Sequence, residues 1–288
     1  MSGLVVAAFG RRFLVRASTG ELVGCVPRGK RRPYACGDHV FVARTSPGEG
    51  VIEAAGPRST LLLRATAHRQ KLIAANATQV AVIAAGEPSM SDELVSRALV
   101  AAECQGIGAL IVLNKTDLAA TAAARERLAP FRSAGYEIIE ISARTEVAPL
   151  RARLVGKTTA LIGQSGMGKS TIVNALVPDA DAATQAISRF LDSGRHTTSH
   201  TRLYRLDESS SIIDSPGVQE FGLAQLSAAD IERSFRELVP FLGHCRFRDC
   251  HHRAEPGCAV RAAVESGAVH PRRLDLLHRI LDAEAQAT

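Results

Sequence analysis

The chain has 288 residues, 46% of them hydrophobic and 22% charged, which is typical of a folded globular protein and excludes a largely disordered one. Its formal net charge of +6 is concentrated near the N-terminus, where residues 1–72 carry 12 Lys+Arg against 4 Asp+Glu. The longest apolar runs, such as residues 80–85, are far too short to cross a membrane, and the first residues lack the pattern of a secretory leader, so we expect a soluble cytoplasmic protein.

Residues 1–70 alternate short apolar segments with turn signals, and this pattern predicts a small N-terminal β-barrel. Five short strands in such a length are typical of an OB-like fold, although a small β-sandwich would give a similar pattern. The predicted strands are 4–8, 13–17, 21–26, 39–43 and 51–54.

A basic loop interrupts these strands. Its positive residues are Arg28, Lys30, Arg31 and Arg32. Such a cluster can neutralise the phosphates of RNA, and OB-like barrels bind nucleic acid through their loops. The alternative is a solvated basic surface without a partner, which composition alone does not exclude. We predict that the module at residues 1–70 binds RNA through this loop.

From about residue 75, predicted strands alternate with predicted helices, which indicates a parallel sheet covered by helices on both faces. Two further strands, 203–206 and 211–213, are expected to pair through the turn at 207–210. Residues 71–222 are therefore predicted to form an α/β domain. Its other strands are predicted at 79–85, 109–113, 136–141 and 158–162, and its helices at 91–104, 119–134 and 169–176.

A glycine-rich turn follows the predicted strand at 158–162 and begins the next helix. The turn fits the pattern G-x-x-x-x-G-K-[ST] and consists of Gly163, Gln164, Ser165, Gly166, Met167, Gly168, Lys169 and Ser170, followed by Thr171. The glycines allow backbone N–H groups to surround phosphates at a helix N-terminus. Lys169 can then reach the β- and γ-phosphates, and the Ser170 hydroxyl can bind Mg²⁺. We predict a nucleotide-binding phosphate loop, but this motif does not distinguish ATP from GTP.

A second motif indicates guanine. It follows the predicted strand at 109–113 and consists of Asn114, Lys115, Thr116 and Asp117. The Asp117 carboxylate can accept hydrogen bonds from N1–H and the exocyclic amine of guanine, which adenine does not offer in that arrangement. Asn114 can brace the loop, and the Lys115 stem can cover the ring face. A helix N-cap at Asp117 would look the same, so the motif gains its weight from the phosphate loop.

Two further motifs are typical of a GTPase. Asp214 follows the strand at 211–213 and begins a D-x-x-G motif that ends at Gly217. In that motif Asp214 would hold Mg²⁺ through water, and the Gly217 N–H would contact the γ-phosphate. Ser142 and Ala143 follow the strand at 136–141 and resemble a loop that contacts guanine through its backbone, although an ordinary strand-ending loop would look similar.

The order of these motifs is permuted, because the guanine motif precedes the phosphate loop instead of following it. A βα sheet tolerates such a change, since joining the old termini and opening a surface loop leaves every strand neighbour unchanged. We expect the new joint in a loop at 145–157. Because residues 214–217 now lead into the C-terminal segment, we expect the nucleotide state to be passed on to that segment.

The C-terminal residues 223–288 contain a Cys/His cluster among predicted helices. Cys245, Cys250, His252 and Cys258 offer three thiolates and one imidazole, which is a complete tetrahedral set for a structural Zn²⁺. His244 and His251 compete with His252 for the fourth place. The alternative is a group of reduced cysteines and surface histidines without a metal. We predict a zinc-binding, mostly helical C-terminal domain, with a helix near 228–239 and one or two further helices from residue 259 to the end.

Together these features resemble the RsgA (YjeQ) family of permuted GTPases that depend on the small ribosomal subunit. The resemblance covers nearly the whole chain and includes the stretch Gly194-Arg195-His196-Thr197-Thr198. It implies slow hydrolysis of GTP to GDP and phosphate, stimulation by the small subunit, and a role in late maturation of that subunit. The partners it implies are the small subunit and its ribosomal RNA, and we expect the protein itself to be a monomer.

The group that positions the attacking water is not the usual one. Ras-like GTPases place a Gln directly after D-x-x-G, and this chain has Val218 there. His196 is similar to the switch histidine of the RsgA family, although a solvent-exposed loop histidine is the alternative. We predict Lys169, His196 and Thr198 as catalytic, with the Thr198 hydroxyl, or that of Thr197, on Mg²⁺.

Two rival functions remain open at this point. An ATP-dependent small-molecule kinase would also need the phosphate loop, but Asp117 opposes it because adenine leaves that carboxylate unpaired. An RNA-binding scaffold without turnover is opposed by the intact Lys169, Ser170 and Asp214 and is kept open by Val218.

Overall fold

The computed structural model of the protein describes residues 1–29, 34–66, 69–178, 180, 200–215 and 221–287. The strands in this part of the chain are β1 (Ser2–Phe9), β2 (Arg12–Ala17), β3 (Leu22–Pro27), β4 (His39–Ser46), β5 (Glu49–Ala55), β6 (Leu61–Thr66), β7 (Arg69–Ala75), β8 (Gln79–Ala85), β9 (Gly108–Asn114), β10 (Glu137–Glu140), β11 (Thr158–Ile162), β12 (Thr201–Arg205) and β13 (Ser211–Asp214). The helices are α1 (Asp92–Cys104), α2 (Thr121–Ser133), α3 (Ala148–Leu154), α4 (Lys169–Leu176), α5 (Ala228–Arg233), α6 (Ala259–Glu265) and α7 (Pro271–Ala287).

The first five strands close into a barrel in the order β1-β2-β3-β5-β4, with β4 pairing back onto β1. The β3–β5 pair is parallel, and the other pairs in the barrel are antiparallel. Alternate residues of the strands, including Val5, Phe13, Val23 and Ile52, fill the interior. The predicted OB-like barrel is therefore confirmed, and each of its five strands is present with its ends slightly shifted.

A hairpin of β6 and β7 follows the barrel, and the sequence patterns did not predict it. Its two strands are joined by residues 67–68, Ala and His, which supply none of the Gly, Asn or Asp signals of a tight hairpin turn. The proposed boundary between residues 70 and 71 falls within β7. The hairpin lies beside the barrel, because Cys36 of the barrel forms a bridge with Ala74.

The α/β part of the chain is a sheet in the order β10-β9-β8-β11-β13-β12. Neighbouring strands from β10 to β13 are parallel, and β12 is antiparallel to β13, which confirms the predicted pair. The carboxyl ends of the parallel strands lie along one edge, where open α/β sheets bind their ligands. On the far side of β12, the sheet continues into the barrel through the pairs Ala7↔Arg202 and Ala8↔Thr201.

Two helical regions differ from the prediction. The expected loop at 145–157 was wrong, because it contains α3, whose Leu150 and Leu154 are fully buried. The helix expected over 228–239 ends at Arg233, and a short 3-10 turn follows at Val239–Phe241. One cause is visible: the Ser234 hydroxyl donates to the Asp230 carbonyl, a local hydrogen bond that competes with the helical pattern.

The C-terminal helix α7 packs on α1 and α5 and so fastens the last part of the chain to the α/β sheet. The predicted final helices are present as α6 and α7. In the described ranges, no helix combines the length and the apolar character that a membrane crossing requires.

Candidate functional site

Three of the predicted nucleotide motifs meet at the carboxyl edge of the sheet through one side chain. Asn114 lies at the end of β9 and is only 1% exposed. Its Nδ2 donates to the Met167 carbonyl of the phosphate loop at 2.9 Å, and its Oδ1 accepts from the Ala143 N–H at 3.0 Å. Motifs that are far apart in the sequence are thus joined by direct hydrogen bonds.

The close fit between these loops depends on a glycine. Gly168 has a φ of 90°, which L side chains rarely adopt, and a Cβ atom there would lie 2.3 Å from Asn114 Nδ2. Gly168 is also the N-cap of α4. The backbone N–H groups in the first turn of α4 have no partners within the helix, so they are available to a ligand at the phosphate loop. This geometry suits a phosphate group at a helix N-terminus.

Asp117 marks the other end of the site. The Ser142 hydroxyl donates to Asp117 Oδ1 at 2.7 Å, and this hydrogen bond is the main cause that lowers the pKa of the carboxyl. The side chain of Asp117 is exposed, so it is accessible to a base from solvent. Its loop is fixed by Thr116 N–H, which donates to the Ile141 carbonyl at 3.2 Å. Asp117 is therefore an ionised acceptor at neutral pH.

Lys115 bridges this loop to the β8–α1 connection. It has a left-handed φ of 63°, and its Nζ donates to the Glu87 carbonyl at 2.8 Å. The extended aliphatic stem of Lys115 lies near Gly168, since a Cβ atom built on Gly168 would be 3.9 Å from its Cε. The stem is therefore placed between the guanine motif and the phosphate loop.

Lys169 lies at the phosphate end and is 7% exposed. Its Nζ donates to the carbonyls of Gly163 at 2.7 Å and Gln164 at 2.9 Å. Burial lowers the pKa of this ammonium, and nearby Asp214 opposes the shift. A phosphate would replace these neutral carbonyl acceptors with anionic oxygens, which bind the ammonium more strongly.

Asp214 ends β13 opposite Leu161, one residue before the end of β11. Its Oδ1 is buried and has no hydrogen-bond partner within the described structure. Burial raises the pKa of Asp214 to about 6, with Lys169 and Arg202 acting against the shift. An ionised, unpaired carboxylate oxygen beside a phosphate loop is a suitable ligand for Mg²⁺ or its water shell, together with the exposed Ser170 hydroxyl at the start of α4.

The β8–α1 connection is part of the site, although no motif indicated it. The Ser91 N–H, at the N-cap of α1, donates to Gln164 Oε1 of the phosphate loop at 2.7 Å. A Cβ atom on Gly166 would lie 3.1 Å from Pro88. The signal that could have found this connection is topological, because it follows the carboxyl end of the central strand β8.

Several predicted site residues lie outside the described residues. They are Lys30, Arg31, Arg32, His196, Thr197, Thr198, Gly217 and Val218. Of the predicted RNA contacts, Arg28 is described: it is exposed, and its Nη1 forms a 3.0 Å ion pair with Glu53. Such exposed pairs contribute little to stability, so Arg28 can exchange Glu53 for another anion.

The Cys/His cluster forms a second candidate site. The ligand atoms of Cys245, Cys250, His252 and Cys258 all lie within 4.8 Å of one another. His252 Nδ1 lies 3.5, 3.6 and 3.3 Å from the sulfurs of Cys245, Cys250 and Cys258, respectively. With usual zinc–ligand bond lengths, tetrahedral coordination predicts N–S edges of about 3.5 Å. The four residues therefore fit one tetrahedral metal ion.

Local structure supports this ligand set. His252 has a left-handed φ of 59° and is buried, whereas the competing His244 and His251 are exposed and lie outside the cluster. Cys258 is the N-cap of α6, where its Sγ accepts from the Arg261 N–H at 3.4 Å. The cluster could thus hold a metal and attach it to the start of a helix.

Comparisons with known proteins agree with this arrangement. The model of the RsgA GTPase family matches residues 55–224. A protein of Nitrosospira multiformis named small ribosomal subunit biogenesis GTPase RsgA is 51% identical over 282 residues, covering 98% of this chain and 90% of that protein. A protein of the same name from Nitrosomonas europaea is 50% identical over 285 residues, covering 98% and 91%.

Two solved structures share the fold. YjeQ from Thermotoga maritima is 27% identical with a TM-score of 0.73, covering 97% of this chain and 98% of that one. YloQ, described as a circularly permuted GTPase, has a TM-score of 0.71 at 22% identity, covering 100% of this chain and 96% of that one. With the permuted order of its motifs and relatives matched along nearly its whole length, this chain belongs to the RsgA GTPase family.

Proposed function

We propose that this protein hydrolyses GTP to GDP and phosphate, slowly alone and faster on the small ribosomal subunit, and acts in late maturation of that subunit. The observation that carries the proposal is the double hydrogen bond of Asn114, which joins the guanine motif to the phosphate loop. It allows one nucleotide to contact Asp117 with its base and Lys169 with its phosphates. The names of the relatives support the ribosomal partner.

The nucleotide contacts follow from the chemistry of each loop. Asp117 accepts from the guanine edge, the Lys115 stem covers the ring, and the Ser142–Ala143 loop adds its backbone. The phosphate loop from Gly163 to Thr171 surrounds the phosphates with N–H groups and Lys169. An ATP-dependent kinase is disfavoured, because adenine would leave Asp117 without its two donors.

Catalysis requires mainly positioning and charge stabilisation. Bound Mg²⁺ would neutralise developing charge on the phosphate oxygens, and Ser170, Asp214 and Thr198 are the residues proposed to hold it. His196 is proposed to orient the attacking water, because the side chain of Val218 has no group that hydrogen-bonds to water. Turnover without a partner is then slow.

The C-terminal cluster is proposed to bind one structural Zn²⁺. Four protein ligands leave no open coordination position, which is typical of a structural rather than a catalytic site. The ion would hold together residues 243–258, which lack regular secondary structure before α6.

We propose RNA as a partner because the loop after β3 is rich in positively charged residues. Arg28 with Lys30, Arg31 and Arg32 would contact phosphates of ribosomal RNA, and their contribution would fall steeply with salt. A ribosomal partner implies that the protein works in the cytoplasm, and we propose that it works as a monomer.

The experiment that tests this function is GTP turnover measured with the protein alone, with purified small subunits and with purified large subunits. We expect slow turnover alone, an increase of about tenfold or more with small subunits, and no increase with large subunits, because the proposed partner supplies the missing positioning. Lys169→Ala is the matched control and should abolish the stimulated turnover. Equal stimulation by both subunits, or equal turnover of ATP, would overturn the proposal.

A further inference from the structure

The segment that follows the D-x-x-G motif is firmly fixed. Phe221, four residues after Gly217, and Leu223 are both buried. The Phe221 and Gly222 carbonyls and the Leu223 and Ala224 N–H groups all have hydrogen-bond partners. We call this short segment, residues 221–224, the anchor segment, because these hydrogen bonds hold its backbone on two sides.

On one side, the anchor segment pairs with the end of β6. Ala65 N–H donates to the Gly222 carbonyl at 3.0 Å, and Ala224 N–H donates to the Ala65 carbonyl at 3.2 Å. The two chains approach so closely that a Cβ atom on Gly222 would lie 2.2 Å from the Ala65 carbonyl oxygen. The hairpin therefore holds the backbone of the segment.

On the other side, two charged side chains hold it. Arg97 of α1 donates from Nη1 to the Phe221 carbonyl at 3.4 Å and forms an ion pair with Glu284 of α7. Glu284 Oε1 also accepts from the Leu223 N–H at 3.2 Å. The side chains of Arg97 and Glu284 are only 10% and 13% exposed. One carboxylate of the C-terminal helix thus touches both the anchor segment and the cation that holds it.

The other ion pairs of α7 do not have this property. Arg272 pairs with Asp92, Arg273 pairs with Glu237, and Asp282 pairs with Arg253. These pairs fasten α7 to α1 and to the segments around it, but in the described part of the chain Glu284 is the α7 side chain that hydrogen-bonds to residues 221–224. Glu284 therefore differs from the other paired side chains of α7, because it also contacts the anchor segment.

We propose that Glu284 and Arg97 are positioning residues through which α7 holds the anchor segment, 221–224, that follows the D-x-x-G motif, and through which the bound nucleotide sets the docking of α7. The inference deepens the proposed function and rests on it, because it requires GTP at Lys169 and Asp214. Coupling of this kind is reciprocal: a partner that shifts α7 changes the relative affinity for GTP and GDP by the same factor as the nucleotides change the partner's affinity.

The physical basis is the low accessibility of the pair. A hydrogen bond to a charged, poorly solvated carboxylate is stronger than a neutral one, and its loss leaves Arg97 with Glu93 and the Phe221 carbonyl as partners among the described residues. Because residues 221–224 follow the D-x-x-G motif closely along the chain, a nucleotide-dependent change in that motif would act on Phe221 and Leu223, and through their hydrogen bonds on Arg97 and Glu284. A change between two states at the nucleotide site can in this way alter how the C-terminal helix α7 is docked.

The test compares Glu284→Gln with a matched control, Asp282→Asn, in the full-length protein. Both variants remove one negative charge from the same helix, but Asp282 pairs with Arg253 and does not contact the anchor segment. Amide hydrogen exchange is measured across 221–224 and α7 with GDP and with a non-hydrolysable GTP analogue. Melting temperatures check the fold, and Glu284→Asp, which keeps the charge on a shorter side chain, replaces Glu284→Gln if that variant does not fold.

In the wild type and in Asp282→Asn, we expect exchange in the last turns of α7 to differ between the two nucleotides. In Glu284→Gln, exchange at Leu223 should rise about tenfold, and the nucleotide-dependent difference in α7 should disappear. A purely structural role would raise exchange with both nucleotides and leave their difference intact. That outcome, or a wild type without any difference, would overturn the inference.

The same preparations separate this inference from the proposed function. If wild-type turnover is not stimulated by small subunits, the proposed function fails. If wild-type turnover is stimulated and Glu284→Gln keeps the wild-type nucleotide-dependent exchange, only the coupling through Glu284 fails.

Discussion

A single amide, that of Asn114, connects the loops that would hold the two ends of a nucleotide. Its oxygen and its nitrogen are both used, one toward Ala143 and one toward Met167. Because the amide is buried, losing either partner would leave a polar group unsatisfied. Asn114, with the small neighbour Gly168 that allows its close approach, therefore holds the guanine motif directly against the phosphate loop.

Substituting that neighbour should uncouple the two loops. In Gly168→Ala, the added methyl group combines a strained left-handed φ with a clash against Asn114, and we expect GTP affinity to fall by about tenfold or more. The measurement is a fluorescent-nucleotide titration. Gly135→Ala is the matched control, because Gly135 has a similar φ of 85° but open space around it.

The control should lose about 1 kcal/mol of unfolding free energy from backbone strain and keep its nucleotide affinity. If both variants bind GTP like the wild type, the contact between Gly168 and Asn114 does not hold the loops together.

At the scale of elements, α1 connects the nucleotide site to the C-terminal helices. Its N-cap residue Ser91 touches Gln164, and its first residue Asp92 pairs with both Arg127 of α2 and Arg272 of α7. Its last turn pairs with Arg236 through Glu103. The C-terminal residues are thus docked on the helix that follows the central strand, and the Cys/His cluster, which could hold a metal, lies in the loop between α5 and α6.

Removing the metal should loosen that loop selectively. We expect one zinc per chain, and we expect Cys258→Ala to lose the ion and raise amide exchange in residues 240–270 on the order of 100-fold or more, since metal binding and local folding are coupled. Metal analysis and hydrogen exchange measure the two effects. Cys104→Ala removes a cysteine outside the cluster and should keep both the zinc and the protection.

The strands of the barrel should keep their protection in both variants. Zinc-free wild-type protein, or unchanged exchange in Cys258→Ala, would contradict a structural zinc site.

Some elements could be predicted from the sequence, whereas others could not. Strand β11 and helix α4 were predicted with their observed bounds, because an apolar run, a glycine-rich turn and a helical repeat define both ends. The β6–β7 hairpin was missed because its turn lacks the usual residues. The ion pair between Arg97 and Glu284 joins residues 187 positions apart, so no local sequence pattern predicts it. It can be found only from a structure in which α7 packs on α1.

At the scale of the whole molecule, the barrel and the α/β sheet form one continuous sheet. The barrel contacts the α/β sheet at β12, because β1 pairs with this strand and Cys36 Sγ donates to the Thr201 carbonyl at 3.2 Å. In the sequence, β12 begins shortly after the predicted switch residues. The C-terminal domain is attached after the D-x-x-G motif. The barrel therefore pairs with the strand that follows the predicted switch stretch 194–198 in the sequence, and the C-terminal residues follow the D-x-x-G motif.

The most direct test of the central claim is a nucleotide titration of the wild type and of Asp117→Asn. An amide at position 117 replaces one acceptor with a donor, which suits the C2 carbonyl of xanthine instead of the amine of guanine. We expect the wild type to prefer GTP over ATP and over xanthosine triphosphate, and Asp117→Asn to lose at least about 100-fold in GTP affinity while gaining affinity for xanthosine triphosphate. A wild type indifferent to the base, or an unchanged preference in the variant, would contradict the convergence of Asp117 and Lys169 on one nucleotide.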